Sequence, residues 1–266
     1  MPLTTKVGQR YVHALDDGFF KPQPSYFDRP DVYDRLAQAT GHLETPIGAF
    51  LFPGAQNVLV DAGLGPIDYL GRGRLVGGKL LDELRLVDVD PDQIDVLALS
   101  HLHPDHAGWL ATPDGGVTFK KARVVFGSAD WQHFLVDHRD QIADHLAVAL
   151  DMLMRQGRVE LVEGESEIAP GVRLLPAPGH TPGHSVFALH DHGDRMLLLG
   201  DAIFCPLQLT ESDIGTLSDI DKELSRCTRV ALAREMERHD TQGVGCHFPG
   251  LVAGRLITNE WSPSSH

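Results

Sequence analysis

Ser100-His-Leu-His-Pro-Asp-His-Ala-Gly-Trp109 is the stretch that decides both fold and chemistry. It gathers His101, His103, Asp105 and His106 on one short segment. The apolar run Ile94–Leu99 before it reads as a buried strand, so these side chains leave a sheet end, where functional loops start. Alternate residues of extended chain face the same way, which puts His101 and His103 together. Pro104 keeps His103 extended, and Asp105 and His106 then turn toward a second point nearby. Two groups of ligands from one loop suit two metals about 3.5–4 Å apart. Solvated loop histidines are the alternative, and they account poorly for four such residues directly after a strand.

Further along, Pro178-Gly-His-Thr-Pro-Gly-His184 holds His180 inside a tight turn, as a further ligand. His184 starts a strand and is expected to make a hydrogen bond one layer behind the ligands. Leu199-Gly-Asp201 ends an apolar strand in a carboxylate, whose two oxygens can bridge two metals as a neutral imidazole cannot. In Gly245-Cys-His247-Phe-Pro a histidine leaves a short strand. His133, His138, His145, His190, His192, His13, His42, His239 and His266 carry no ligand spacing and read as solvated.

The pattern around these segments alternates strands and helices. Ala49–Phe52 and Val58–Val60 read as a hairpin around Pro53-Gly54, ending at Asp61. A Gly-rich stretch and a helix over 79–87 follow. Strands are expected at Val117–Phe119, Arg123–Phe126, Val159–Val162, Val172–Leu175, Ser185–Leu189, Met196–Leu199 and Val244–Cys246. Residues 129–155 read as one or two helices, with Ser128 as cap and Gly157 as stop, and 219–239 as a helix capped by Asp219. Strand, turn, strand and Asp61 in the first half echo strand, turn, strand and Asp201 in the second. Two such halves point to two face-to-face sheets with helices outside, a four-layer α/β/β/α sandwich.

Composition narrows the function. The 266 residues are 42% hydrophobic and 23% charged, the balance of an ordinary globular chain. The formal charge of −14 repels phosphate backbones and anionic membranes, which argues against nucleic-acid and membrane partners. Three scattered Cys make no disulfide framework, and the N-terminus shows no apolar signal core, so a reducing, cytoplasmic setting is expected. No apolar run reaches the length of a membrane span. Residues 1–266 read as one domain, with 1–45 either covering the site or mediating a homodimer. The 15 His are the feature out of line.

His101-x-His103-x-Asp105-His106 followed in order by His180, Asp201 and His247 resembles the metallo-β-lactamase superfamily, over about Gly48 to His247. The resemblance implies an αββα metallo-β-lactamase sandwich with a binuclear site at one edge. Carried over, metal 1 takes His101, His103 and His180; metal 2 takes Asp105, His106 and His247; Asp201 bridges. Asp61 corresponds to a buried structural Asp that orients a ligand loop. Five His and two Asp favour zinc, with manganese, iron or cobalt as alternatives. The implied chemistry is attack by a metal-bridging hydroxide on a small hydrophobic lactone or carboxylic ester, with Asp105 passing a proton to the leaving group.

The motifs look like those of the acyl-homoserine lactonase-type branch, with one departure. That branch carries a Tyr shortly after the bridging Asp, where this chain has Phe204. Tyr26 or Tyr69 is available as a substitute. Trp109, Phe204, Leu207, Leu209 and Phe248 are expected to line the substrate pocket, and Cys205 and Cys246 to be buried fillers. The alternatives are a glyoxalase II-like thioesterase, a phosphotriester or β-lactam hydrolase, and a non-catalytic metal-binding protein that keeps the fold. The first lacks the basic helical tail of its group here, and all seven ligand positions are filled, against the last.

Overall fold

A computed structural model describes residues 1–38, 41–112 and 114–264, so His266 lies outside the described residues. The first sheet comprises β1 (Leu3–Val7), β2 (Arg10–Pro22), β3 (Thr45–Phe52), β4 (Val58–Val60), β5 (Asp68–Leu70), β6 (Gly73–Val76), β7 (Val96–Ala98), β8 (Arg123–Gly127) and β9 (Val159–Val162). Its order is β5-β6-β2-β3-β4-β7-β8-β9, with β1 paired to β2. The second sheet runs in chain order through β10 (Ser166–Ala169), β11 (Val172–Pro176), β12 (Ser185–Asp191), β13 (Asp194–Leu198), β14 (Gln242–Val244), β15 (Gly254–Ile257) and β16 (Glu260–Pro263). Helices are α1 (Pro30–Ala37), α2 (Leu80–Leu86), α3 (Pro104–Ala107), α4 (Ser128–Asp130), α5 (Asp144–Arg155), α6 (Leu207–Thr210) and α7 (Lys222–Arg238).

Alternation within the central strands explains the layering. Phe50 and Phe52 of β3, Val58 and Val60 of β4, Val96 and Ala98 of β7 and Val125 of β8 pack with the second sheet's Val172, Leu174, Val186 and Leu198. The intervening Ala49, Leu51, Leu59, Leu97, Val124 and Phe126 face the other way, onto α2 and α5 through Leu80, Leu84, Leu146, Leu150 and Leu153. Strands buried on both faces read as continuous apolar runs. On the second sheet, α7 contributes Leu232 and Met236. The expected four-layer αββα sandwich is the fold observed.

The two halves match in their wiring. β3 and β4 form a hairpin, and β4 then pairs in parallel with β7; β12 and β13 form a hairpin, and β13 then pairs in parallel with β14. Asp61 follows the first hairpin, and Asp201 comes three residues after the end of β13.

Several elements differ from the reading. Val117–Phe119 is no strand: Thr112 N bonds to Gly116 O, Val117 makes a lone bridge to Ala111, and Phe119 is buried in the core. Ser128 begins α4 rather than capping it, and no side chain caps that end. The segment then widens into a π turn over Trp131–Asp137 before α5. Gly157, at φ +68, does follow the end of α5. Helix α7 starts at Lys222 and is capped by Asp221, whose side chain accepts from Leu224 N at 2.9 Å. β14 stops at Val244, leaving Cys246 and His247 in the loop beyond.

Residues 1–45 hold β2, a long strand between β3 and β6 that hydrophobic patterning hid. Its register shifts between Asp16 and Gly18. There the buried Asp17 accepts from Leu64 N (2.7 Å), Gly65 N (3.1 Å), Gly78 N (3.1 Å), Leu80 N (2.8 Å) and Trp109 Nε1 (2.8 Å). One carboxylate thus ties the Gly-rich 63–78 loop to the sheet. Its acceptor oxygens serve donors that would otherwise be buried unpaired.

Candidate metal centre

Strand ends deliver the site. The chain leaving β7 brings His101 and His103, and α3 carries Asp105 and His106. The turn before β12 brings His180, the one after β13 brings Asp201, and the one after β14 brings His247. All seven residues converge. His103 Nδ1 lies 2.9 Å from His101 Nε2 and 3.1 Å from His180 Nε2. A second group joins Asp105, His106 and His247, with His247 Nε2 3.5 Å from Asp105 Oδ2. Zinc–nitrogen bonds of about 2.0–2.1 Å in a tetrahedron set ligand atoms about 3.3 Å apart, so these spacings fit such a set.

Asp201 divides its oxygens between the groups. Oδ2 lies 3.5 Å from His180 Nε2, while Oδ1 lies 3.3 Å from both His106 Nε2 and His247 Nε2. His106 Nε2, His247 Nε2 and Asp201 Oδ1 are buried and have no hydrogen-bond partner among the described residues. A buried polar atom is normally paired. Here two imidazole nitrogens and a carboxylate oxygen crowd one point without a hydrogen bond between them, an arrangement that a shared cation would satisfy.

The far nitrogens are anchored. His247 Nδ1 donates to Pro46 O at 2.8 Å, His180 Nδ1 meets Asp219 Oδ1 at 3.0 Å, and His106 Nδ1 meets Asp61 Oδ2 at 2.9 Å. His101 Nδ1 faces Ser100 Oγ at 3.0 Å. Such partners fix the tautomer and turn the other nitrogen's lone pair inward. Asp61 also accepts from Ser100 N (2.7 Å), Ser100 Oγ (2.9 Å) and Cys246 Sγ (3.1 Å). His184 stays outside both groups: its Nε2 accepts from Asp201 N (3.0 Å) and Ala202 N (3.2 Å) and so fixes the backbone at Asp201. Gly200 turns at φ +51, and a Cβ there would stand 2.7 Å from that nitrogen.

Electrostatics favour the metal-binding forms of His101, His103, Asp105 and Asp201. Burial, with neighbouring imidazoles, pushes His101 well below its usual value and His103 to about 3, so both stay neutral. Burial opposes the charge on Asp105, but His106 and His247 outweigh it and hold Asp105 at about 2; the same pair holds Asp201 well below the carboxylate range. Burial likewise opposes a proton on His247, yet Asp201 and Asp105 raise it to about 9. His106 is raised for the same reason, with Asp61 contributing. Those two imidazoles compete for positive charge that a metal would supply, and a metal there displaces their protons.

Asp219 is the functional residue the sequence concealed. Read as a helix cap, it instead holds His180 and pairs with Nη1 of the buried Arg229 at 3.2 Å. Its spacing from His180 is purely tertiary. The one available signal was a carboxylate near a helix start with a better cap, Asp221, two residues on.

A cleft of about 770 Å³ opens over the centre, with His103, Asp105 and Asp201 at its floor. Phe20, Tyr26, Leu64, Leu75 and Ile142 wall it, and Ile67, Tyr69, Leu217 and Ile220 are among its more exposed lining residues. None of the five residues expected to line the pocket borders it. Trp109 is turned into the core by its bond to Asp17, and Leu209 and Phe248 are core residues. Leu207 packs beside the aromatic cluster of Phe20, Tyr26, Phe27 and Phe204. Phe204 lies behind a candidate ligand, its ring 4.6 Å from that of His247. Chain neighbours of the ligands hold the site from beneath, and residues remote in sequence wall it. Cys205 and Cys246 are both buried, but Cys246 does more than the space-filling expected of it, since its thiol donates to Asp61. Among the described residues no helix is long and apolar enough to cross a membrane.

The chain is similar to known proteins over most of its length. It is 28% identical to N-acyl homoserine lactonase AiiA of Bacillus thuringiensis subsp. kurstaki over 178 residues, which are 61% of this chain and 66%, just under two thirds, of that relative. It is also 28% identical to N-acyl homoserine lactonase AiiB of Rhizobium rhizogenes over 221 residues, 75% of this chain and 74% of the relative. Among solved structures, AidC, a dizinc quorum-quenching lactonase, superposes with a TM-score of 0.87 at 18% identity, covering 99% of this chain and 97% of the other. The superposition establishes shared architecture. The family model of the metallo-beta-lactamase superfamily matches residues 47–233, well over half of the sequence, and with the αββα layers and the strand-end histidines already described, the chain belongs to that superfamily.

Proposed function

We propose that this protein is a binuclear metal-dependent hydrolase of small hydrophobic lactones or carboxylic esters. The observation that carries the reading is the division of the Asp201 oxygens between two histidine groups, with one oxygen buried and unpaired. His101, His103 and His180 would hold one divalent ion, Asp105, His106 and His247 the other, and Asp201 both. The borderline-soft imidazole and carboxylate set suits zinc. Two such ions, when bound, acidify a water to near neutral pH and polarise a carbonyl oxygen.

The chain's own groups do the rest. Asp61, Asp219 and the Pro46 carbonyl hold the imidazoles with their lone pairs inward. Asp105 borders the cleft and is ionised, in place to accept a proton and return it to the leaving oxygen. The apolar walls suit an acyl chain or an uncharged ring. Lactone hydrolysis in the similar lactonases supports this substrate class.

The test is metal analysis of the purified protein, followed by assays on lactones, aryl esters, phosphotriesters and cephalosporins with zinc and manganese. About two equivalents of metal and turnover of lactone or ester are expected. Less than one equivalent, or turnover confined to phosphotriesters or β-lactams, overturns the reading.

A further inference from the structure

We propose that the Tyr26 phenol is the hydrogen-bond donor that meets the substrate's carbonyl oxygen. The proposal rests on the hydrolase reading above and adds a residue to it. The floor of the cleft is rich in acceptors. Asp105 and Asp201 offer only lone pairs, and the imidazole nitrogens anchored on Pro46, Asp219 and Asp61 face away from it. A carbonyl oxygen that gains negative charge needs a donor, and one placed in advance is worth most where water is excluded.

Tyr26 supplies one. It lies on the connection between β2 and α1, 3% exposed, and borders the cleft with Asp105 and Asp201. Burial, helped by the neighbouring Asp201 and Asp105, keeps the phenol protonated. Its ring is locked edge-on against Phe20 (5.1 Å) and Phe27 (5.5 Å), and lies 5.3 Å from Phe204. Its carbonyl accepts from Leu217 N at 2.8 Å, and Phe27 bridges Thr216, so the loop that carries Asp219 also fixes the phenol. The hydroxyl's partner is Ser218 Oγ at 3.2 Å, a hydroxyl on that same loop, half-buried and lining the cleft. Replacing so long a bond with one to a substrate oxygen loses little. Tyr69, the other phenol bordering the cleft, is 57% exposed on the β5–β6 hairpin and has no comparable packing. The O–H bond stays intact throughout, so no proton changes hands at Tyr26.

Tyr26→Phe removes the donor and keeps the ring. With a lactone that wild type hydrolyses, kcat should fall about tenfold to a hundredfold, with KM changed less. Metal content and thermal unfolding should match wild type. On the matching thionolactone, whose sulfur accepts hydrogen bonds poorly, the ratio of wild-type to variant kcat/KM should shrink toward one. A purely structural tyrosine would penalise both substrates equally. Wild-type kcat in the variant, an unchanged ratio on the thionolactone, or loss of metal or cooperative unfolding overturns the donor assignment and leaves the hydrolase reading standing. A wild type that binds two metals and turns over no lactone or ester removes that reading, and this proposal with it.

Discussion

Asp61 and Asp201 hold corresponding places in the two halves, each following a hairpin whose second strand pairs in parallel with a later one. Their surroundings differ. Asp61 is saturated by donors from Ser100, His106 and Cys246. Asp201 presents one oxygen to two imidazole nitrogens at 3.3 Å and makes no hydrogen bond there. On the proposed reading, the same strand-end position is used once to orient a ligand and once to hold a cation. What separates them is pairing: the Asp61 oxygens are taken up by hydrogen bonds, whereas Asp201 Oδ1 is buried without one and is free to meet a cation.

The sharpest way to break this comparison is Asp201→Ala. It should remove one or both metal equivalents and nearly all turnover, measured by elemental analysis and lactone assay; full metal content would show that Asp201 does not bridge. Asp61→Asn should act more weakly. The amide presents N–H groups to donors, so metal affinity or activity should fall about tenfold to a hundredfold, and chemical denaturation should show about 1–3 kcal/mol lost stability. Equal effects at the two positions would erase the distinction. Gly200→Ala should lie near or below Asp61→Asn. Its Cβ would press on His184 Nε2, and φ +51 adds strain of about 1 kcal/mol or more. Thermal unfolding and metal affinity both report it, and His184→Ala should move metal affinity in the same direction by freeing the Asp201 amide.

A pH-dependent effect, without consequence for metal content, concerns the turn behind His180. Asp130 is buried and accepts from Gly183 N (2.6 Å) and Thr181 Oγ1 (3.0 Å). Burial raises its carboxyl to about 6. A carboxyl raised in the folded state binds more protons than in the unfolded chain between about pH 4 and 6. Its contribution to stability is therefore complete below that window and is lost as pH rises through it, by at most about 3 kcal/mol. Asp130→Asn should flatten this slope in urea titrations at pH 4 to 7, and an unchanged slope would assign it to other groups.

The ligand loop was legible because its chemistry is local. His101, His103, Asp105 and His106 lie on a single turn of chain, so their convergence needs no long-range contact. His180, Asp201 and His247 were legible one at a time, each beside a strand end or tight turn. Strand β2 was not, because its bulge and the paired Asp16 and Asp17 break the apolar alternation, and Asp17 is used for hydrogen bonds to a loop some fifty residues on. Asp219 was misread because helix capping is a local rule, and a better cap, Asp221, satisfied it.

By itself the sequence determined the layers and which seven side chains cluster, since runs of alternately facing apolar residues and closely spaced imidazoles carry their geometry with them. Only the tertiary structure decided what walls the cleft and which groups orient the ligands. Trp109, Phe204 and Phe248 adjoin the site in the chain and pack beneath or beside it, whereas Phe20, Tyr26 and Asp219 come from afar and reach it. Close packing assigns each side chain to whatever space its backbone direction leaves, and that direction is set by sheet pairing and not by distance along the chain.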